Sequence, residues 1–320
     1  MMLLIFTTQL LILKMEKKYS GVVVPMITPF TDKYKVDLEA AERITDHLIG
    51  HDAHPFVLGT TGESVSICPQ ERKKFLEATV RAAKKRKTVY AGISGNCLSS
   101  VLEEAKAFSD LGADVLVSTM PSYYPVDEDQ MIRYFEELAD AVPLPLIVYN
   151  IPATTHLSIP LSVAEKLSHH QNIVGFKDSE KGELRVEEAI KLWKNREDFS
   201  YLLGWALMSH KAMAWGADGM VPSTGNLTPG LYRIIYESGR AQQADLSWAA
   251  QEKADRVSSI YQKDKILSRS LPVLKIMMDA YGLCGTSVLP PLYRITAQEE
   301  EKIKELVLAE YGSLDAINNI

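Results

Sequence analysis

From residue 20 to residue 240, short apolar and β-branched runs alternate with longer stretches that have helical apolar spacing. The predicted strands lie at residues 21–28, 56–58, 88–93, 115–119, 146–150, 173–179, 201–204 and 219–222. The helices that follow them are predicted at residues 37–50, 69–87, 98–111, 127–141, 160–167, 183–194, 208–215 and 229–238. Regular alternation of this kind predicts a parallel sheet covered by helices. Eight units in about 220 residues predict an α/β fold of the closed (β/α)8 barrel type.

A weak internal repeat also favours a barrel. The segment LGADVLV at residues 111–117 resembles WGADGMV at residues 215–221. In both segments a helix ends at glycine and a strand begins two or three residues later, as in a repeated αβ turn. An open doubly wound sheet is the alternative fold, but no glycine-rich fingerprint follows the first strand.

The strand pattern stops after about residue 240, as expected where a helical appendage follows a barrel. Helices are predicted at residues 241–266, 268–281 and 296–311. We therefore expect a barrel at residues 15–240 and a C-terminal helical domain at residues 241–320.

Residues 1–13 are mostly apolar but too short to span a bilayer as a helix. They lack the basic region and the cleavage site of a signal peptide. We expect Met15 to be the true start and residues 1–14 to be an extension outside the fold. A signal peptide or membrane anchor is the alternative.

Composition and charge narrow the function. The hydrophobic share of 46% and the charged share of 24% are ordinary for a globular protein. A net charge of −6 without a long run of one sign disfavours an extended nucleic-acid surface. The basic run at residues 84–87 is predicted to be the last turn of a helix. Three widely spaced cysteines indicate a reducing compartment, so we expect a cytoplasmic protein, and no Cys/His spacing suggests a zinc site.

The sixth predicted strand, IVGFKDS at residues 173–179, ends in a lysine, Lys177. At the C-terminal end of a buried strand its ammonium would lose water, which disfavours the charged form. Such a lysine is a candidate for imine chemistry with a carbonyl substrate. The alternative is a lysine that extends to solvent from a strand end.

The other strand ends supply a matching set of groups, because the active site of a barrel lies at the C-terminal ends of its strands. The loop GTTGE at residues 59–63 offers hydroxyl and N–H donors that suit a carboxylate. Gly204 leaves room for a ligand, and Tyr149 ends the fifth strand. A lysine, phenols, hydroxyls and an anion-binding loop on one rim suit an imine with a 2-oxo acid, which needs no metal or cofactor.

The motifs resemble those of the dihydrodipicolinate synthase / N-acetylneuraminate lyase family of class I aldolases. The resemblance covers nearly the whole barrel in the family's order. Its motifs are GVVVPMITPF (21–30), GTTGES (59–64), PSYYP (121–125), YNIP (149–152), GFKDS (175–179) and GADGMVPSTGN (216–226).

The resemblance implies roles for individual residues. Lys177 is implied to be the Schiff-base lysine and Tyr149 the proton donor or acceptor beside it. Thr60 and Tyr123 match proton-relay positions. The match also implies that Thr61 and Val221 contact pyruvate. The family's usual assembly is a homotetramer, in which Tyr123 is expected to reach a neighbouring subunit's site.

Two departures from the family pattern bear on the substrate. Dihydrodipicolinate synthases carry an arginine shortly after the YN-P motif, where this chain has Thr154, so we expect poor activity with aspartate semialdehyde. Sialate lyases carry two acidic residues where this chain has Ala206 and Leu207. An apolar wall there could not hydrogen-bond a polyhydroxylated chain.

We therefore predict a Schiff-base-forming lyase that acts on pyruvate, or a pyruvate-derived 2-oxo acid, and an aldehyde. The alternatives are a 4-hydroxy-tetrahydrodipicolinate synthase, a dehydratase of keto-deoxy sugar acids and a non-catalytic pyruvate-binding homologue. No nucleic-acid or membrane partner is expected.

Overall fold

Eight parallel strands form a closed barrel in chain order in the computed structural model, which describes residues 17–320. The strands are β1 (Gly21–Pro25), β2 (His54–Val57), β3 (Tyr90–Gly92), β4 (Val115–Thr119), β5 (Leu146–Asn150), β6 (Ile173–Asp178), β7 (Ser200–Leu203) and β8 (Gly219–Met220). Strand β8 pairs with β1 and closes the sheet. The predicted (β/α)8 barrel is therefore confirmed, and the open sheet is excluded. The predicted extension at residues 1–14 lies outside the described residues.

Helices follow the strands around the barrel and continue beyond β8. Those of the barrel are α1 (Leu38–Gly50), α2 (Pro69–Ala83), α3 (Leu98–Asp110), α4 (Glu128–Ala141), α5 (Pro152–Thr155), α6 (Leu161–Leu167), α7 (Glu183–Trp193), α8 (Ser209–Trp215) and α9 (Pro229–Arg240). The C-terminal helices are α10 (Ala244–Gln262), α11 (Leu267–Asp279), α12 (Ala297–Tyr311) and α13 (Leu314–Asn318). The short helices α5 and α13 were not predicted, because four or five residues give no clear helical period.

Local signals explain several helix ends. The Asp37 side chain accepts a hydrogen bond of 3.0 Å from the backbone N of Ala40 and caps α1, as predicted. One expectation was wrong: α2 ends at Ala83, and Lys84 and Lys85 have φ angles of 48° and 58°. This left-handed backbone cannot continue a helix. The basic run at residues 84–87 therefore follows α2 and is not its last turn.

Alternation along β5 and β6 determines which side chains face the barrel interior. Ile147 and Tyr149 pack in a cluster with residues of other strands, whereas Leu146 and Val148 pack in a separate apolar cluster that contains the helices. Successive strand residues point to opposite faces, so Tyr149 lies inside the barrel. On β6 the outward residue is Phe176, which places Lys177 on the inner face beside Tyr149.

The C-terminal helices pack against the barrel helices, with α10 in contact with both α8 and α9. One apolar cluster contains residues from the barrel helices and from α10, α11 and α12. The domain boundary at residue 240 stays a prediction. Within residues 17–320, no helix combines the length and apolar character needed to cross a bilayer.

Candidate active site

Lys177 is buried at the C-terminal end of β6, with 4% of its surface exposed. Its Nζ lies 3.5 Å from the centre of the Tyr149 ring and 4.7 Å from the centre of the Phe56 ring. Burial lowers the pKa of Lys177 well below the ordinary lysine value of 10.5. The alternative of a lysine that extends to solvent is therefore wrong. A buried amine with a lowered pKa is available in its neutral, nucleophilic form.

Tyr149 is buried, and its hydroxyl accepts a hydrogen bond of 3.4 Å from Ser179 Oγ. Burial raises the pKa of the phenol, and hydrogen bonds with the Ser179 and Thr60 side chains partly offset this effect. A phenol with a raised pKa keeps its proton at neutral pH and can donate it.

The loop after β2 forms a tight turn, with a 3-10 helix at Thr60–Gly62. The Thr28 hydroxyl donates a hydrogen bond of 2.6 Å to the Gly62 carbonyl oxygen and fixes the turn to the segment after β1. A Cβ at Gly62 would lie 2.9 Å from the Met26 carbonyl oxygen, so only glycine allows this close approach. The turn is thus held rigidly beside the barrel mouth.

A buried ion pair ties the same loop to the C-terminal helices. Glu63 Oε1 lies 2.5 Å from Nζ of Lys275 on α11, and both side chains are almost completely buried. Glu63 Oε2 also accepts a hydrogen bond of 2.8 Å from the backbone N of Leu289. No local sequence pattern marks this pair, because its members are more than two hundred residues apart.

A cavity of about 180 Å³ at the barrel mouth brings most of the predicted site residues together. Its lining includes Lys177, Tyr149, Thr61, Val221 and Gly204. A pocket that combines a buried amine, a phenol and hydroxyls is an appropriate binding place for a small carbonyl compound. The chemical roles of these residues stay predictions.

Gly204 has a packing reason that the sequence did not reveal. A Cβ at this position would lie 2.1 Å from Ser179 Oγ and 3.0 Å from the Asp178 carbonyl oxygen. The missing side chain therefore makes room for Ser179, the partner of the Tyr149 hydroxyl.

Thr60 and Thr154 line a second cavity of about 390 Å³, over the ends of β2 to β5. Tyr149 lines both cavities and forms the wall that they share. Thr154 therefore lines a cavity together with Tyr149 but does not line the Lys177 cavity.

Tyr123 lies apart from both cavities within one chain. It is 75% exposed, and its ring contacts the equally exposed ring of Tyr124 in a T-shaped arrangement at 4.9 Å. Tyr123 therefore lines neither the Lys177 cavity nor the cavity of Thr60 and Thr154 in its own chain.

Sequence reasoning missed several residues of the Lys177 cavity. Ser179 and Lys181 follow the lysine strand and could have been found from that position alone. Ser258 and Gln262 also line the cavity, but they come from α10. No local pattern marks a helix residue that reaches a site some eighty residues earlier in the chain.

Behind Lys177 a polar network holds β5 and β6 together. Asp178 accepts hydrogen bonds from Asn150 Nδ2 at 2.8 Å and from Arg185 Nε at 2.7 Å. Burial raises the pKa of Asp178, although Arg185 and Asn150 counteract this effect. The network ties Asp178, the residue after Lys177, to β5 and α7. Among residues 17–320, no group of three or more His, Cys, Asp or Glu side chains could hold a metal ion.

The chain is similar to known proteins over nearly its whole length. A model of the dihydrodipicolinate synthetase family matches residues 18–310. A relative from Thermococcus kodakarensis, an uncharacterized DapA-like lyase, is 30% identical and covers 90% of this chain and 98% of its own length. The 4-hydroxy-tetrahydrodipicolinate synthase of Syntrophotalea carbinolica is 27% identical and covers 93% of this chain and 100% of its own.

Solved structures show the same similarity. Dihydrodipicolinate synthase from Bacteroides thetaiotaomicron superimposes with a TM-score of 0.87 at 30% identity, covering 92% of this chain and 100% of that chain. YagE from E. coli K12, a prophage protein of the dihydrodipicolinic acid synthase family in complex with pyruvate, has a TM-score of 0.85 at 26% identity, covering 93% and 99%.

Proposed function

The chain belongs to the dihydrodipicolinate synthetase family and is a lyase of the class I aldolase type, and on this premise we propose that it forms a Schiff base between Lys177 and pyruvate or a pyruvate-derived 2-oxo acid. The observation that carries the proposal is the position of Lys177, buried against Tyr149 in the mouth cavity. The pyruvate bound to YagE supports the same substrate class.

In the proposed reaction the neutral amine of Lys177 attacks the ketone carbon C2. Loss of water from the carbinolamine gives an imine, and the Tyr149 phenol and Thr60 hydroxyl carry the protons that this step moves. In the cleavage of a longer 2-oxo acid, the Tyr149 oxygen, which has given its proton to the departing water, takes the proton of the C4 hydroxyl. The C3–C4 bond breaks at the same time, and its electron pair passes to the protonated imine and gives the enamine. An aldehyde leaves, the enamine takes a proton at C3, and hydrolysis releases pyruvate and regenerates the amine.

The substrate carboxylate is proposed to bind at the loop that contains Thr60 and Thr61. Thr61 lines the Lys177 cavity, and hydroxyl donors of this loop suit an anion. Binding of the substrate carboxylate at this loop would hold the adjacent ketone carbon in position for attack by Lys177. Such orientation provides much of the rate enhancement of enzymatic reactions.

Two alternatives use the same imine. One is condensation of pyruvate with aspartate semialdehyde, as the names of several relatives suggest; the other is dehydration of a keto-deoxy sugar acid. A non-catalytic pyruvate-binding protein is the third alternative, and the intact set of Lys177, Tyr149 and Thr60 argues against it.

Borohydride trapping tests the proposal directly. With pyruvate, intact mass measurement should show about one reduced three-carbon adduct per chain, as expected for a single nucleophile. The adduct should disappear in Lys177→Ala and remain in Lys166→Ala, because Lys166 is an exposed lysine on α6 that does not line the cavity. An adduct that persists in Lys177→Ala would assign the imine elsewhere, and no adduct in the wild type would favour the non-catalytic alternative.

A panel of 2-oxo-3-deoxy acids, assayed for pyruvate release, separates cleavage from the alternatives. Release of pyruvate marks an aldolase, whereas loss of water without pyruvate marks a dehydratase. Product formation only from pyruvate and aspartate semialdehyde marks the synthase.

We further propose a homotetramer in which Tyr123 reaches the site of a neighbouring subunit. The exposed pair of Tyr123 and Tyr124 supports an intersubunit contact, since large exposed aromatic side chains are enriched at interfaces. Light scattering measures the assembly directly. A cytoplasmic location is also proposed, supported by Cys68, Cys97 and Cys284, all of which are free thiols.

A further inference from the structure

The basic side chains that line the Lys177 cavity are Lys177 itself and Lys181. None of the acidic residues in the described part of the chain contributes to this lining. The remaining lining is polar or apolar, so the cavity favours a ligand that carries negative charge beyond the one at its reacting end.

Lys181 lies at the outer end of this cavity. It is exposed and follows β6 by three residues, whereas Lys177 is buried at the strand's end. The cavity that both lysines line therefore gives a substrate joined to Lys177 a path towards the exposed amine.

Within residues 17–320, Lys181 forms no ion pair, and its neighbouring acids are already engaged. Glu180 accepts hydrogen bonds from Asn150 at 2.9 Å and from Ser158 at 2.7 Å. Glu183 pairs with Lys211 at 2.8 Å. The Lys181 ammonium is thus available to a ligand.

The other walls of the cavity limit what that ligand can be. Trp205, Ala206 and Leu207 form an apolar wall beyond β7. On the α10 side, Gln262 Nε2 donates hydrogen bonds to Ser223 Oγ at 3.3 Å and to the Tyr261 hydroxyl at 2.6 Å. The apolar wall cannot satisfy hydroxyl groups that face it, so the charged end of a ligand is expected to lie on the side of Lys181.

We propose that Lys181 binds an anionic group at the far end of the substrate, so that the site selects 2-oxo acids with a second acidic group, a carboxylate or a phosphate. This proposal rests on the proposed Schiff base at Lys177. It makes Lys181 a specificity-determining residue that takes no part in imine formation.

The kinetic test uses two matched pairs of cleavage substrates. The first pair is 4-hydroxy-2-oxoglutarate and 4-hydroxy-2-oxopentanoate, which differ in a terminal carboxylate. The second pair is 2-oxo-3-deoxy-6-phosphogluconate and 2-oxo-3-deoxygluconate, which differ in a phosphate. In Lys181→Gln, kcat/KM should fall about tenfold or more for the member with the acidic tail, as expected when a charge-assisted contact is lost. In the same variant, kcat/KM should change little for the substrate with the neutral tail. The control variant Lys166→Gln should change kcat/KM for neither substrate of a pair. The pair that shows the selective loss identifies the anion as carboxylate or phosphate.

A trapping test needs no bond cleavage. The acids 2-oxoglutarate and 2-oxopentanoate have five carbons each and differ in the terminal carboxylate. In the wild type, 2-oxoglutarate should protect Lys177 from trapping with pyruvate at a lower concentration than 2-oxopentanoate does. Lys181→Gln should remove that difference, and Lys181→Glu should reverse it.

The outcomes separate this proposal from the function that it rests on. Loss of the pyruvate adduct in the wild type contradicts the Schiff base itself. A normal pyruvate adduct in Lys181→Gln, together with equal effects on acidic and neutral tails in both tests, overturns the role of Lys181 alone. Failure of both five-carbon acids to compete with pyruvate overturns it as well.

Discussion

The Nζ of Lys177 lies 3.5 Å from the centre of the Tyr149 ring, and the two residues are direct partners in the register of β5 and β6. The amine therefore rests on an aromatic face inside the barrel, with the phenol hydroxyl at the edge of the same ring. The proposed nucleophile and the proposed proton carrier occupy adjacent strands, and the pairing of those strands fixes their separation.

The first prediction concerns the pH dependence of imine formation. The neutral amine attacks the ketone, so the trapping rate with pyruvate should rise with pH through the pKa of Lys177 and then level off. Because burial lowers that pKa well below 10.5, the plateau should be reached far below the range in which an exposed lysine titrates. Trapping rates measured over a pH series with borohydride test this. A rate that keeps rising up to the ordinary lysine range would contradict the lowered pKa.

The position of Lys177 and Tyr149 could be predicted from the sequence, because apolar alternation and strand ends are local features. The register with which β5 and β6 pair could not. Ser258 and Gln262 of α10 could not be predicted either, since they line the cavity only because the C-terminal helices pack on the barrel. Tyr123 illustrates the opposite case: its motif is conspicuous, yet its side chain lies outside the cavity of its own chain.

The second prediction concerns the Tyr149 hydroxyl. Tyr149→Phe keeps the ring against Lys177 but removes the proton carrier, so kcat should fall by about a hundredfold or more, within the range typical of general acid–base catalysis. Ser179→Ala, which removes the 3.4 Å hydrogen bond to the phenol, should cause a smaller loss. The measurement is kcat for pyruvate release, together with the thermal midpoint of each variant. A Tyr149→Phe enzyme with normal kcat would exclude the phenol from proton transfer.

The third prediction concerns the buried pair of Glu63 and Lys275. Removing one partner leaves an uncompensated buried charge, so Glu63→Gln or Lys275→Met alone should lower the free energy of unfolding by about 3–5 kcal/mol. The double variant should recover part of that loss. The exposed pair of Arg233 and Glu237 is the matched control, and Glu237→Gln should cost about 1 kcal/mol or less.

Urea unfolding measures the free energy of unfolding of the two single variants of the buried pair, of the double variant and of Glu237→Gln. Because Glu63 follows the Thr60–Gly62 turn directly, Glu63→Gln should also weaken the binding of pyruvate more than Glu237→Gln does. Equal and small effects of the buried and exposed pairs on stability would show that the buried pair does not hold the loop.

The last prediction concerns aspartate semialdehyde, with which activity should be low. Thr154 lines the cavity on the far side of Tyr149, and its hydroxyl donates a 3.4 Å hydrogen bond to the Ile151 carbonyl oxygen. A threonine cannot give a carboxylate the bidentate grip of an arginine, and losing such a contact costs about 1.5–3 kcal/mol, or roughly one to two decades in rate. Lys181 adds a cation, but aspartate semialdehyde also carries an ammonium group, which a cavity lined by lysines disfavours. Values of kcat/KM with pyruvate as the partner should therefore rise in Thr154→Arg and remain low in the wild type. A wild type as fast as an ordinary synthase, and not improved by the arginine, would show that Thr154 does not exclude this substrate.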